Sequence, residues 1–213
     1  MKYQVILFDF DGVLCHDKFY EKTMLPDYQE AYDWIQKNVF RSSEVVHDWM
    51  LGKISHQQIN RNIASAIDVD FEELNNLFLE SVRLMSLDKE LLELIAQLKN
   101  QGFKTGIVSD NMDVFSEITV KNHVLNSLFQ IIKNSADTRM LKNNDNGKIF
   151  DLTLEELGES DYSRAIMIDD SKGTVELFQS KGGCGILYTD LNNLKLELAK
   201  IGVLNDQQTP EFV

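Results

Sequence analysis

VILFDFDGVL, residues 5–14, decides the fold. An apolar run suited to a buried strand ends in two carboxylates, Asp9 and Asp11, with one residue between them and Gly12 behind. Alternate side chains of an extended chain share a face, so Asp9 and Asp11 can address one pocket. Ionised carboxylates at the end of a buried strand are costly unless a cation or a set of hydrogen bonds receives them. The stretch therefore reads as a first strand that carries acids to a site.

Outward from it, the pattern changes twice. Residues 3–8 read as the strand itself. From about 16 to 86 the apolar spacing is helical, with no strand-like run. Pro26 suits a first helical turn, with Tyr28, Ala31, Tyr32, Ile35 and Val39 behind it. Ser43 suits a cap, Ser55 and Gln58 have capping-box spacing, and Asp70 and Glu73 repeat that device with an acidic cap. Four helices are expected there. From Asp88 onward helix and strand alternate. Strands are predicted over 103–108, 129–132, 164–168 and 184–188. Helices are predicted from Asp88 to Gly102, from near Asp113, over 149–157 and 174–181, and from Asp190 towards Gly202. Such alternation implies an α/β fold, a Rossmann-like parallel sheet of about five strands covered by helices on both faces. The division predicted is a core of residues 1–15 and 87–205, a helical insert of residues 16–86, and a frayed tail of residues 206–213.

Composition narrows the function. The chain has 213 residues, 43% of them hydrophobic, and a formal net charge of −13. That acidity excludes nucleic-acid backbone binding, which needs clustered Lys and Arg. No apolar run is long enough to span a bilayer, and no secretion signal is read at the amino terminus, so a cytoplasmic protein is expected. Cys15 and Cys184 lack metal-ligand spacing and read as free thiols in a reducing compartment. His16, His47, His56 and His123 form no metal-binding pair, and only His16 lies near the first acids.

Ligands of open parallel sheets bind outside the carboxyl ends of the strands. Polar clusters stand at two further such ends. Ser109-Asp110-Asn111 follows the strand 103–108, and Asp169-Asp170-Ser171 follows the strand 164–168. Hard oxygen ligands in this number suit magnesium, which keeps several waters and takes one or two protein carboxylates.

Together these segments resemble the four motifs of the haloacid dehalogenase-like superfamily in its phosphatase form, over nearly the whole chain. The resemblance implies Asp9 as nucleophile and Asp11 as general acid/base. It implies Ser109 as a phosphate-binding hydroxyl, with Asp110 beside it where the family often has Asn and Asn111 in support. Magnesium would be held by Asp9, Asp170 and the backbone carbonyl of Asp11, with Asp169 orienting nearby groups. The family's third motif supplies a lysine. Charge arithmetic asks for one too. A carboxylate attacking a phosphate dianion brings like charges to about 4 Å, costing ~4 kcal/mol per pair at an effective dielectric near 20. Counting forward from Phe129 places that lysine on Lys142, and counting back from Ile149-Phe150 places it on Asn144. An insertion of about two residues in KNNDNGKIF favours Lys142, with Lys148 as the alternative. The insert matches the position of the family's helical cap of subclass IA, and LGKISHQQI resembles a recurring cap segment. Its aromatics, Trp34 and Trp49 included, read as packing core.

The resemblance implies a magnesium-dependent phosphatase acting on a small phosphorylated metabolite through an aspartyl phosphate, as a monomer or homodimer. A sugar-phosphate mutase differs only in its acceptor, which residues of the cap would choose. A dehalogenase lacks the second acid of the first motif, which Asp11 supplies here. A catalytically silent binding protein rests only on the degenerate third motif.

Overall fold

The computed structural model describes residues 2–204; the tail expected over 206–213 lies outside them. Five strands, β1 (Val5–Phe8), β2 (Lys104–Ser109), β3 (Ile131–Asn134), β4 (Ala165–Asp169) and β5 (Cys184–Leu187), form one sheet. The order is β3-β2-β1-β4-β5 and every neighbouring pair is parallel. The chain fills one side of β1 with β2 and β3, then crosses to the other side with β4 and β5. The reversal falls between β1 and β4, where an open sheet leaves a crevice at its carboxyl edge. Val5, Ile6, Leu7 and Phe8 pair with Lys104–Ile107 on one flank and with Ala165–Ile168 on the other, so the chain leaves all three strands level.

Both faces of the sheet are covered. Ile6, Phe8, Ile107, Ile166 and Ile168 pack with Leu91, Ile95, Leu98, Leu194 and Leu198 of helices Lys89–Asn100 and Leu191–Lys200. Val5, Leu7, Val108, Ala165 and Met167 pack on the other side with Ile149, Phe150, Leu154 and Phe178 of helices Lys148–Glu156 and Lys172–Ser180. This two-sided burial explains why the strands read as unbroken apolar runs.

Between β1 and β2 lie helices Glu21–Met24, Gln29–Ile35, Ser43–Met50, His56–Ile67 and Phe71–Arg83, with a π-helical turn at Gln36–Phe40. That is one more α-helix than the four expected. Their apolar sides meet in a separate cluster around Tyr20, Ile35, Trp49, Ile63, Leu74 and Phe78, which also takes in Met112 and Val114 from the loop after β2. Local signals act as read at three starts. Ser55 and Gln58 form a complete capping box, and the carboxylates of Asp70 and Asp88 accept from the amides of Glu73 and Leu91, each at 3.0 Å. Among the described residues, no helix is long and apolar enough to cross a membrane.

Several sequence expectations shift. Pro26 does not open a helix. It stands after Glu21–Met24, where Tyr28 N–H closes the turn on the Met24 carbonyl at 2.6 Å, and Gln29–Ile35 begins later. A proline lacks the N–H that would continue the first helix, so it ends one here. The third strand occupies Ile131–Asn134 rather than 129–132, because Phe129 closes the 3₁₀ turn that precedes it. Helix Ser43–Met50 takes Ser43 as its first residue, behind Ser42. The helix expected from near Asp113 does start there, with Asp113 and Val114 helical, but it widens at once into a π-helical turn, Phe115–Thr119, before Val120–Asn122.

Candidate active site

The loops after β1, β2 and β4 meet at the carboxyl edge. Asp9 leaves β1 with its N–H still donated to the Ile168 carbonyl at 2.9 Å, and its Oδ1 accepts from the Phe10 amide at 2.7 Å. It is buried, as is Asp169 at the end of β4. Lys142 arrives from the loop after β3. Its buried ammonium lies 2.7 Å from Asp9 Oδ2 and 2.7 Å from Asp169 Oδ2. Lys148, the alternative, is the exposed first residue of helix Lys148–Glu156. Lys142 is held from behind, since its backbone N–H donates to Asp110 Oδ1 at 2.8 Å.

The charges shape one another. Burial works against the Lys142 ammonium, but Asp9 and Asp169 outweigh it and raise its pKa above the ordinary lysine value. Burial and then the Asp9 charge push Asp169 up to about 6. The same two causes push Asp11 up to about 7. Burial also raises Asp110 and Asp170. Five carboxylates around one ammonium thus leave an excess of negative charge, which a divalent cation would relieve.

The donor set fits such an ion. Asp9, Asp169 and Asp170 each present a carboxylate oxygen, all within 4.8 Å of one another. Asp169 has little capacity left, because Oδ2 takes the Lys142 ammonium and Oδ1 the Ser171 amide at 2.8 Å. Asp170 is exposed at the rim, with Gly12 against it. A Cβ built on Gly12 would lie 2.1 Å from Asp170 Oδ2, and the residue also has a φ of +74°. Glycine satisfies both demands.

At the same edge, Ser109 ends β2 fully buried, and its Oγ has no hydrogen-bond partner among the described residues. A buried hydroxyl without a partner is costly and calls for an explanation. Asn111 donates from Nδ2 to Asp11 Oδ2 at 2.9 Å, while its backbone exchanges hydrogen bonds with Ser135 Oγ at 3.0 and 3.2 Å. All eight residues singled out in the sequence therefore collect at this edge.

Other residues at the site were not anticipated. Asp113 follows Asn111 by two positions and reaches into the helical stretch. Its Oδ1 accepts from Trp49 Nε1 at 2.8 Å, and its Oδ2 from the His56 amide at 2.9 Å, with His56 Nδ1 at 3.0 Å. Burial pushes the Asp113 pKa up, but these hydrogen bonds outweigh it and hold the carboxyl below its usual range. A cavity of about 400 Å³ opens beside Asp11 and Asp110, walled by Phe19, Phe40, Met50 and Met112. His16 stands at its edge, exposed and stacked on Tyr188 at 6.5 Å between ring centres.

Comparison with known proteins follows this geometry. A family model described as haloacid dehalogenase-like hydrolase matches residues 3–176. No curated protein matches the sequence. Among solved structures, a haloacid dehalogenase family enzyme of Bacteroides thetaiotaomicron, an aspartate-to-alanine mutant in complex with magnesium and inorganic phosphate, is 16% identical with a TM-score of 0.70, covering 88% of this chain and 94% of that one. A haloacid dehalogenase-like family hydrolase of Porphyromonas gingivalis is 15% identical with a TM-score of 0.73, covering 94% and 98%. The L-2-haloacid dehalogenase of Xanthobacter autotrophicus is 15% identical with a TM-score of 0.64, covering 97% and 86%. At such identities the likeness is one of fold.

Proposed function

The chain belongs to the haloacid dehalogenase-like hydrolase family, and from that premise we propose that it is a magnesium-dependent phosphatase of small phosphorylated metabolites. The observation that carries this reading is the buried Ser109 hydroxyl, without a partner among the described residues, at the same sheet edge as an acid cluster that Lys142 offsets. A phosphoryl group supplies what both lack, an acceptor for the hydroxyl and a ligand for a cation. Displacing halide from carbon asks for neither, and it gives no work to an Asp11 whose carboxyl is pushed up to about 7. The magnesium and phosphate held by the Bacteroides enzyme support the same choice.

In this reading a carboxylate oxygen of Asp9 attacks phosphorus in line, and the bond from phosphorus to the ester oxygen breaks. Asp11, protonated near neutrality, gives its proton to the departing alkoxide. An aspartyl phosphate and a free alcohol result. Asp11, now a carboxylate, takes a proton from water as that water attacks phosphorus. The bond to Asp9 breaks, inorganic phosphate leaves, and both aspartates return to their starting states. Ser109 and Lys142 bind the equatorial oxygens, and Asn111 holds Asp11 in reach. Magnesium, when bound by Asp9 and Asp170 with the Asp11 carbonyl, supplies Lewis-acid neutralisation of the phosphoryl charge. Residues 16–86 act as a helical cap that excludes bulk water from the acyl phosphate.

The test is phosphate release from a panel of monoesters and acetyl phosphate. Turnover is expected to need magnesium, to stop with a chelator, and to fall by roughly 10⁴-fold or more in Asp9→Asn with the circular dichroism spectrum unchanged. Chloride release from 2-chloropropionate without magnesium, and no phosphate release, would overturn the proposal.

A further inference from the structure

We propose that the ester taken by this site carries an uncharged, largely apolar alcohol of about the bulk of a benzyl group, rather than a polyhydroxylated sugar. This rests on the phosphatase reading and names its substrate class. The cavity is lined by Asp11, which in that reading gives its proton to the leaving oxygen, so the group on that oxygen is turned towards it. At about 400 Å³ it suits a small ligand.

Its lining divides between apolar side chains and polar ones, the latter Asp11, His16, Asp17, Lys18, Gln36 and Asp110. Phe19, Phe40 and Met50 are only half-buried where they flank the apolar cluster of the helical stretch. They and the buried Met112 give the cavity a continuous apolar side. The Phe19 and Phe40 rings stack on each other with centres 5.6 Å apart, which fixes both aromatic side chains at the cavity. The two methionines are flexible and polarisable, suited to closing around an apolar shape. Cys15 adds a thiol pushed up to about 12 by burial, uncharged at neutral pH.

Several polar groups of the same walls already hold partners within the protein. The Gln36 side-chain amide donates to the Phe19 carbonyl at 3.2 Å. Asp17 Oδ2 accepts from both Lys22 Nζ and the Ser86 amide at 2.6 Å. Asp11 is held by Asn111 and Asp110 by the Lys142 amide. His16 and Lys18 are exposed at the rim. Sugar hydroxyls would compete with these partners and meet none along Phe19, Phe40, Met50 and Met112, which disfavours their binding there.

Local geometry gives a second, independent sign. Gln36 and Phe40 are the first and last residues of a π-helical turn, and both face this cavity. Such turns are rare and concentrate at functional sites. Here the widened turn directs one aromatic ring and one amide to the same opening, and the amide braces Phe19.

The experiment compares benzyl phosphate with glucose 6-phosphate and glycerol 3-phosphate, all esters of primary alcohols, so that leaving-group basicity does not decide the outcome. The expected result is a kcat/KM about 30-fold higher for benzyl phosphate. Phe40→Ser and Met50→Gln should each shrink that ratio at least ~5-fold; a ratio is insensitive to the fraction of folded enzyme. Equal or reversed preference in the wild type, or an unchanged ratio in both variants, would overturn the inference. If neither the esters nor acetyl phosphate is hydrolysed, the phosphatase reading fails, and calorimetry with magnesium still decides this one. Benzylphosphonate binding more tightly than 3,4-dihydroxybutylphosphonate sustains the apolar site, and equal binding or none ends it.

Discussion

The carboxyl edge of the sheet and the helical stretch between β1 and β2 are built on opposite principles. At the edge, the level registers of β1, β2 and β4 set the loops that follow, and buried charges hold one another in place. In the helical stretch, local caps start the helices and an apolar cluster ties them together. Electrostatic order comes from long-range pairing, and apolar shape from helices that rest on their own contacts. Reaction chemistry can therefore stay fixed while the apolar walls of the cavity change.

That contrast can be broken most sharply at Lys142. Lys142→Met leaves Asp9 and Asp169 facing each other in a buried site, and roughly 3–5 kcal/mol of stability should be lost at neutral pH. Urea unfolding of the metal-free protein measures it, and magnesium should restore part of the loss. A variant as stable as the wild type would mean that the edge does not depend on its charge network. Ser109→Ala sharpens the same comparison from the other side. Its hydroxyl bonds nothing among the described residues, so stability should change by less than ~0.5 kcal/mol while phosphatase turnover falls about 10²-fold. Melting curves beside phosphate release separate the two readouts.

Asp113 joins the two regions, and Asp113→Asn should cost about 1.5–3 kcal/mol at pH 7. The pH dependence has a definite sign. A carboxyl held below its ordinary value stabilises the fold fully above that value, near pH 4, and ceases to do so as pH falls through the folded one. The gap between wild type and variant in urea unfolding should therefore be constant from pH 7 to about 5 and close on further acidification. A gap that widens with acid would mean that Asp113 is not the charged acceptor of this junction. The smallest effect belongs to the helical stretch alone. Ser55→Ala removes one half of a capping box and should cost ~1 kcal/mol, read as a lower melting temperature with the magnesium response unchanged.

Much of the edge is legible in the sequence because buried apolar runs that end in Asp or Ser are physically expensive. Asp9, Ser109 and Asp169 advertise the ends of β1, β2 and β4 for that reason. Lys142 is harder to place, because the counts from Phe129 and from Ile149-Phe150 disagree across its loop and a count along the chain alone cannot fix a tertiary partner. The third strand was displaced by two residues because Phe129 belongs to the apolar core without belonging to the strand. Phe40 and Gln36 escaped notice since a π turn departs from the 3.6-residue period by which helical faces are read. Asp113 reads as a helix start and is one, but the commitment of its carboxylate to Trp49 and His56 is visible only once the chain has folded.

The close approach of Gly12 to Asp170 carries one more consequence. The loops that follow the first and fourth strands touch through a glycine hydrogen, and no shorter stretch of chain contains both partners. If Asp9 and Asp170 hold the ion as proposed, its affinity is a property of completed strand pairing and not of any local peptide. Magnesium titrated during refolding should report the joining of β1 to β4 as a single late step, and fragments that end before residue 165 should bind it no better than free carboxylates do.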